Sequence, residues 1–255
     1  MLREKRLMQI MDLIKRDGQV EISNLCRMFN VTDMTIRRDL DNLARENNII
    51  RTHGGAMRAS DESLVEPSID RRMIINSEIK ERISKKALEL IQPGNKVFID
   101  SGTTTWYMAL HMPNEFQNIV ITNGINIATE VISRPHIDTL LIGGELRRNT
   151  QSCRGALAEE QLARFKVDLA FIGTNAIGND GYLYLGNAIE TGFKKQVMRC
   201  AQKTILLADS SKFNTFNLIS YAHVSQMDCI LTDSKLPKKI REDLENMGAH
   251  FMMVD

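Results

Sequence analysis

Residues 31–40, Val31-Thr32-Asp33-Met34-Thr35-Ile36-Arg37-Arg38-Asp39-Leu40, decide the fold of the first part of the chain. Thr32 stands where the N-cap of a helix belongs. Downstream of it, Ile36, Leu40 and Leu43 lie within one narrow arc at helical spacing. The segment therefore predicts a helix over about 33–46 that buries this arc.

The opposite side of this helix carries a hydroxyl, an amide and two guanidinium groups. Such groups pair with the base edges and phosphates of DNA. For any single arginine, a solvated surface charge is the simpler interpretation. The residues expected to contact DNA are the N-cap Thr32 and the outward or flanking Met34, Thr35, Arg37, Arg38 and Asn42.

The flanking segments complete a small DNA-binding unit. Apolar residues at helical spacing predict one helix near 3–16 and a second near 22–29, which a short turn joins to the third helix. Residues 49–56 read as a glycine-turned hairpin, the wing, whose Arg51 and His53 are expected to approach phosphate. The order of elements predicts a winged helix-turn-helix.

Two motifs in this unit resemble the signature of the DeoR family of bacterial regulators. One is residues 31–40, with paired arginines followed by an aspartate, and the other is Arg51-Thr52-His53-Gly54-Gly55-Ala56 at the family's spacing. The resemblance implies that the motif proper spans about 20–39. It also implies that Thr35, Arg37 and Arg38 contact DNA.

Composition is that of an ordinary globular protein. The chain has 255 residues, of which 43% are hydrophobic and 25% are charged. It contains no apolar run that is long enough to cross a bilayer, and its first residues do not show the pattern of a signal peptide. We therefore expect a cytoplasmic protein without a membrane partner. Its four cysteines are dispersed and have no histidine cluster near them, so neither a metal nor a cofactor is expected.

Residues 1–58 carry eleven Lys/Arg against eight Asp/Glu. This small positive excess is compatible with a nucleic-acid-binding domain but does not require one.

A polar, acidic stretch separates this head from the rest of the chain. It predicts a DNA-binding domain at 1–58, a linker at 59–74 and a second domain at 75–255. In the second domain, apolar runs alternate with helical stretches, which is typical of a mainly parallel α/β sheet. The predicted strands are Lys96–Asp100, Asn118–Thr122, Thr139–Gly143, Leu169–Gly173, Thr204–Ala208, Cys229–Thr232 and Phe251–Val254.

Small and polar residues follow five of these strands. In an open parallel sheet the carboxyl ends of the strands line the ligand crevice, so these turns are expected to converge on one site. Gly102 with three threonines opening a helix is expected to cradle an anion. The residues expected from these turns are Asp100, Gly102, Thr103, Thr104, Thr105, Asn123, Gly143, Gly144, Asp209 and Lys212.

Glu190 and Lys194 lie four residues apart, and a surface ion pair is their simplest interpretation. The whole second domain, however, resembles the DeoR-type sensor domain. The resemblance implies a fold similar to ribose-5-phosphate isomerases, glucosamine-6-phosphate deaminases and CoA transferases, with a phosphorylated sugar or sugar alcohol as effector. It also implies that Gly102 to Thr105 hold phosphate, that Lys194 and Lys212 add positive charge, and that Glu190 and Asp209 accept hydroxyls. Residues 181–185 depart from it, because they are more apolar than the family pattern.

Two functions follow from these patterns. The first, which the family resemblance implies, is a transcriptional regulator of a carbohydrate-utilisation operon, expected to be a repressor controlled by a phosphorylated sugar or sugar alcohol. It is expected to bind double-stranded operator DNA as a homodimer or homotetramer. The alternative is a sugar-phosphate isomerase or deaminase with a DNA-binding head, in which Asp100, Glu190 or Asp209 is the general base. A winged helix gives catalysis no advantage, so we expect no enzyme.

Overall fold

The computed structural model describes residues 3–17, 19–46, 49–52, 54–58 and 69–255. The chain divides into two compact units, Met1–Pro67 and Ser68–Asp255. Each unit has its own hydrophobic core.

The first unit combines three helices with a small antiparallel sheet, within its described residues. The order is α1 (Arg3–Asp17), β1 (Gln19–Glu21), α2 (Ile22–Phe29), α3 (Asp33–Glu46), β2 (Ile49–Thr52) and β3 (Gly55–Arg58). The three predicted helices and the predicted hairpin are confirmed. β1 pairs with β3 to give the strand order β1-β3-β2, and its three residues are too few to show a period in the sequence.

The predicted arc of α3 forms the core of this unit. Ile36 and Leu40 are completely buried, and Leu43 is nearly so. Ile10 of α1 and Leu25 of α2 pack in the same cluster. The helix-turn-helix therefore rests on one apolar cluster, and α3 has the opposite side free for solvent.

The second unit is built on a seven-stranded sheet in which every neighbouring pair is parallel, in the order β15-β14-β12-β9-β4-β5-β6. Its helices and strands are α4 (Ile69–Ile74), α5 (Ser77–Leu88), β4 (Lys96–Ile99), α6 (Thr103–Leu110), β5 (Asn118–Thr122), α7 (Ile125–Val131), β6 (Ile137–Leu141), β7 (Glu145–Arg147), β8 (Ser152–Arg154), α8 (Ala156–Leu162), β9 (Val167–Ile172), β10 (Ala176–Ile177), β11 (Tyr182–Leu185), α9 (Ile189–Cys200), β12 (Ala201–Leu207), β13 (Ile219–His223), β14 (Cys229–Asp233), α10 (Lys238–Asn246) and β15 (Phe251–Val254). A 3-10 helix spans Ser210–Lys212 and another spans Val224–Gln226.

Both faces of the central sheet are covered, as continuously apolar strands predict. Phe98 and Ala170 belong to the hydrophobic cluster on one face. Val97, Ile99 and Phe171 belong to the cluster on the other face. Side chains alternate between the faces with a period of two, so each strand contributes to both clusters.

All seven predicted strands are strands of this sheet, with small differences at their ends. The strand predicted at Thr139–Gly143 runs from Ile137 to Leu141, and the strand predicted at Thr204–Ala208 begins three residues earlier, at Ala201. An antiparallel sheet of β10, β11 and β13 was not predicted from the sequence. Leu183 and Leu185 of β11 are buried there, which explains why residues 181–185 are apolar.

The predicted linker differs from the structure in its last six residues. Ile69–Ile74 forms α4, and Ile69 is only 2% exposed. Its backbone N–H donates to the Asn149 carbonyl. In the described part of the chain, each helix is too short or too polar to cross a bilayer.

Candidate functional site

The outer face of α3 is arranged as the sequence predicts. Met34, Arg37 and Arg38 are exposed, while Thr35 and Asn42 are half-buried. The Thr32 carbonyl accepts from the N–H groups of Thr35 and Ile36 and so begins the helix.

The polar groups on this face differ in how far they are already engaged. The hydroxyls of Thr32 and Thr35 hydrogen-bond each other at 3.0 Å, and Arg37 Nε donates to Asp33 Oδ1 at 2.5 Å. Contact with Asp33 raises the pKa of Arg37 above its ordinary value. Arg38 forms no hydrogen bond or ion pair with the residues that the structure describes. Its guanidinium can therefore pair with a phosphate or a base without breaking another contact.

Asp39 has a structural place that sequence reasoning missed. Its side chain is 2% exposed, and Arg6 Nε of α1 lies 2.6 Å from its Oδ2. Arg3, which is largely exposed, lies 3.5 Å from the other carboxylate oxygen. The signal was present, since Asp39 follows Ile36 by three residues and must share its buried face. The aspartate after the paired arginines thus fixes α3 to α1.

The wing forms from β2 and β3, and Arg51 lies opposite Ala56 in their antiparallel register. The side chain of Arg51 and the whole of His53 lie outside the described residues. Their expected approach to phosphate stays a prediction.

In the second unit, most of the predicted side chains follow neighbouring strands at the carboxyl edge of the sheet. Asp100 follows β4, Asn123 follows β5, and Asp209 follows β12. β4 and β12 both border β9, and β5 borders β4. Together with residues of α9 and of the β7–β8 hairpin, the side chains at this edge form three polar clusters.

The first cluster is a buried ion pair between Asp100 and Lys194. The Lys194 ammonium donates to Asp100 Oδ2. It also donates to the Gly173 carbonyl at 2.8 Å, and Gly173 N–H donates back to Asp100 Oδ2 at 2.9 Å. Burial disfavours the charged Lys194, but Asp100, together with Tyr221 and Glu190, more than offsets this, so the pKa of Lys194 is raised above its ordinary value. Lys194 is therefore already neutralised.

The second cluster holds Glu190, whose partner is not the lysine one turn later. Arg147 Nη1 lies 2.5 Å from Glu190 Oε1, and Arg154 Nη1 lies 4.0 Å from it. The simple interpretation of a Glu190–Lys194 ion pair is therefore wrong, because tertiary packing gives each residue another partner. The β7–β8 hairpin, which sequence reasoning missed, brings both arginines to the edge.

The residues around this hairpin have defined partners as well. Asn123 Nδ2 donates to the Cys153 carbonyl at 2.9 Å, while its buried Oδ1 accepts no hydrogen bond from any described residue. Gly143 N–H donates to Gln161 Oε1 at 2.6 Å. A Cβ at Gly144 would lie 2.7 Å from the Arg154 carbonyl, so this close approach requires glycine.

The Gly-Thr-Thr-Thr loop opens α6 as predicted, with Gly102 at the N-cap. Thr103 and Thr104 are 8% exposed and Thr105 is buried completely. The Thr105 hydroxyl donates within the loop, to the carbonyls of Asp100 and Gly102. These two bonds hold the turn in place, and the expected binding of an anion by this loop stays a prediction.

The third cluster surrounds Asp209, which is 1% exposed and caps the following 3-10 helix. Its Oδ1 accepts from Ser211 and, at 3.0 Å, from Asn76 Nδ2 of the α4–α5 corner. Lys212 is half-buried, and its ammonium forms no hydrogen bond or ion pair with described residues. Among the same residues, no cluster of His, Cys, Asp and Glu side chains could hold a metal.

Comparison with protein families assigns both units. Residues 6–62 match the model of the DeoR-like helix-turn-helix domain, and residues 75–234 match that of the DeoR C terminal sensor domain. Together the two matches define a DNA-binding head joined to a sensor domain. The chain belongs to the DeoR family of transcriptional regulators.

Relatives from several organisms agree with this assignment. The chain is 32% identical to the glycerol-3-phosphate regulon repressor of Escherichia coli K12, over 92% of either chain. It is 32% identical to the HTH-type transcriptional repressor GlcR of Bacillus subtilis, over 96% of this chain and 93% of that protein. It is 28% identical to the L-fucose operon activator of Haemophilus influenzae, over 92% and 94%.

Solved structures resemble the chain more distantly. Ribose 5-phosphate isomerase A of Methanocaldococcus jannaschii is 19% identical, with a TM-score of 0.41 over 54% of this chain and 55% of that one. A 4-hydroxybutyrate CoA-transferase of Porphyromonas gingivalis is 13% identical, with a TM-score of 0.41 over 59% and 38%. The family and its relatives are transcriptional regulators, so the alternative of an isomerase or deaminase with a DNA-binding head is not supported.

Proposed function

We propose that the chain is a cytoplasmic repressor of a carbohydrate-utilisation operon that binds operator DNA through α3 and the wing, and releases it when a phosphorylated sugar or sugar alcohol binds the second unit. A homodimer or homotetramer is part of the proposal, since one short helix contacts too few bases for specific binding. Two of the relatives are named as repressors, which supports repression. A third is named as an activator of the L-fucose operon, which supports control of carbohydrate genes.

The observation that carries the effector proposal is the unengaged ammonium of Lys212, the last residue of the 3-10 helix that Asp209 caps. This cation has no carboxylate partner among the described residues, whereas Lys194 is neutralised by Asp100. A phosphate can pair with such an ammonium, and neighbouring hydroxyl and carboxylate groups can bond the hydroxyls of a sugar. Within the proposed site, Lys212 is therefore the direct anion ligand, and Lys194 acts by holding the Asp100 turn.

Effector binding is tested by a panel of phosphorylated sugars and sugar alcohols, glycerol 3-phosphate included, with each unphosphorylated compound as its control. One phosphate ester at 100 times its Kd should raise the Tm of the second unit by about 5–10 °C, because it binds only the folded state. The same compound should release the promoter beside the protein's own gene in fluorescence anisotropy. Lys212→Ala should abolish both responses. A compound that is consumed instead of only bound would revive the enzyme alternative, and a panel without any stabiliser would overturn the proposal.

Operator binding is tested with Arg38→Ala. We expect the operator affinity to fall roughly ten- to a hundredfold while stabilisation by sugar phosphate is kept, because Arg38 is exposed and unengaged. Arg164→Ala is the matched control, since Arg164 is 75% exposed and lies in the second unit. If Arg38 contacts a phosphate, the slope of log affinity against log salt should also decrease by about one. Equal affinities of the two variants would contradict the placement of α3 on DNA.

A further inference from the structure

Lys80 of α5 is a buried cation that sequence reasoning did not single out. The residue is 4% exposed, and its ammonium donates to the Arg72 carbonyl. An ammonium has three N–H donors, and this carbonyl is the sole acceptor that the described residues supply. Lys80 also has no carboxylate within ion-pair distance among those residues. A buried charge with most of its donors unused is costly unless a ligand completes its environment.

The charges around Lys80 are those of the Asp209 cluster. The pKa of Lys80 is lowered to about 8, mainly by burial and also by the nearby cations Lys212 and Arg72, whereas Asp209 opposes the shift. These groups come from the 209–212 loop and from α4. Asp233, the other buried carboxylate near this loop, accepts hydrogen bonds from Ser210.

Direct hydrogen bonds fix this part of α5 to the proposed effector site. Asn76, one helical turn before Lys80, donates from Nδ2 to Asp209 Oδ1 at 3.0 Å and to the Ser211 hydroxyl at 3.3 Å. Its backbone is left-handed, with φ of 55°, which is an uncommon conformation that asparagine tolerates. The Asn76 carbonyl also accepts from the Lys80 N–H at 3.0 Å. The lysine is therefore held at the loop that carries Lys212.

We propose that Lys80 is a further ligand of the effector's anionic group, and that it binds a phosphate monoester together with Lys212, while Asn76 is a positioning residue. This inference rests on the proposed effector site. Lys80 and Lys212 are two ammonium groups near the same loop, and neither forms an ion pair with a carboxylate among the described residues. A phosphate monoester carries nearly two negative charges near neutral pH. Its oxygens can accept hydrogen bonds from both ammonium groups, which carry the opposite charge.

A buried Lys80 affects the stability of the ligand-free protein as well as the binding of an anion. The pKa of Lys80 in the folded chain lies below its ordinary value of 10.5. Between pH 8 and 10.5 the unfolded chain therefore binds more protons than the folded chain does. At neutral pH the charged Lys80 lowers the free energy of unfolding. This loss of stability disappears as the pH rises through the window. Lys80→Met should accordingly raise the Tm of the ligand-free protein at pH 7 by a few degrees.

The experiment measures thermal unfolding of the full chain against inorganic phosphate at pH 7.5 and pH 9. For the wild type, phosphate should raise the Tm, and its apparent affinity should be weaker at pH 9, where Lys80 loses its proton. Lys80→Met should bind phosphate at least roughly tenfold more weakly at pH 7.5 and lose this pH dependence. Lys80→Arg should keep part of the affinity and stay independent of pH, because arginine remains charged. Lys85→Met is the control, since Lys85 lies on the same helix, is 56% exposed and pairs with Glu81.

The outcomes separate this inference from the proposed function. If Lys80→Met folds and binds phosphate as tightly as the wild type and Lys85→Met do, Lys80 is not a ligand, although the effector site stands. If neither phosphate nor any sugar phosphate stabilises the wild type, both proposals are overturned. Should Lys80→Met not fold, the pH profiles of Lys80→Arg and the wild type decide, and identical profiles would rule Lys80 out.

Discussion

Lys194→Met should lower the free energy of unfolding of the second unit by about 3–5 kcal/mol, because it leaves the buried Asp100 carboxylate without its cation. Lys194 and Asp100 have side chains that are 9% and 6% exposed, so water cannot replace the lost partner. For a unit of this size, the change corresponds to a Tm lower by roughly 6–20 °C. Differential scanning calorimetry of the full chain measures it directly.

The matched control is Lys195→Met, which removes the same charge from an exposed position one residue later. Surface changes of this kind cost little, within about 0.5 kcal/mol. The pKa of Lys194 is raised above 10.5, so the stability that the ion pair contributes is present below pH 10.5 and is lost only as the pH rises through the raised value. The deficit of Lys194→Met should therefore be the same at pH 6 and pH 8. A Tm equal to that of Lys195→Met would show that the pair contributes no stability.

The second large effect is expected in the DNA-binding unit. Arg6→Met should destabilise this unit by about 3 kcal/mol, because Asp39 loses the guanidinium that lies 2.6 Å from it. This loss of free energy of unfolding is at the lower end of the range for a buried ion pair, because Arg3 still lies 3.5 Å from the same carboxylate. In a unit this small, such a loss lowers the Tm by roughly 10–20 °C. Operator binding should then fail on warming, well before the second unit unfolds.

Arg3→Met provides the comparison, because it removes a cation from the same carboxylate. Arg3 is 59% exposed, whereas Arg6 is 9% exposed, so its contribution should be less than about 1 kcal/mol. At low temperature, Arg6→Met should still bind the operator, since Arg6 is buried against Asp39 and not on the outer face of α3. Loss of operator affinity in folded Arg6→Met would instead assign this arginine to the DNA contact.

The helices of the first unit and the strands of the central sheet could be predicted because their signals are local. Ile36, Leu40 and Leu43 mark the buried side of α3 within eight residues, and the apolar runs after Lys96 and Asn118 mark strands in the same way. Family resemblance added the order of the two domains. The short strands β1, β7 and β10 carry too few residues for a period, so they could not be found.

The candidate site was predictable in its residue types and only partly in its contacts. Asp100, Asn123 and Asp209 were placed correctly at the carboxyl edge of the sheet, because every parallel strand ends on the same side. Which cation meets which carboxylate was not predictable. Glu190 and Lys194 share one helix face, yet they bind Arg147 and Asp100 instead of each other.

The amino-acid sequence by itself determined the elements, because hydrophobic period, capping and turn residues act over a few neighbouring positions. Only the tertiary structure decided the pairs Arg6–Asp39, Asp100–Lys194 and Asn76–Asp209, whose members are 33, 94 and 133 residues apart. Such pairs depend on how whole helices and strands pack in register. Burial then sets their strength, since the same two charges attract far more in a core than in water.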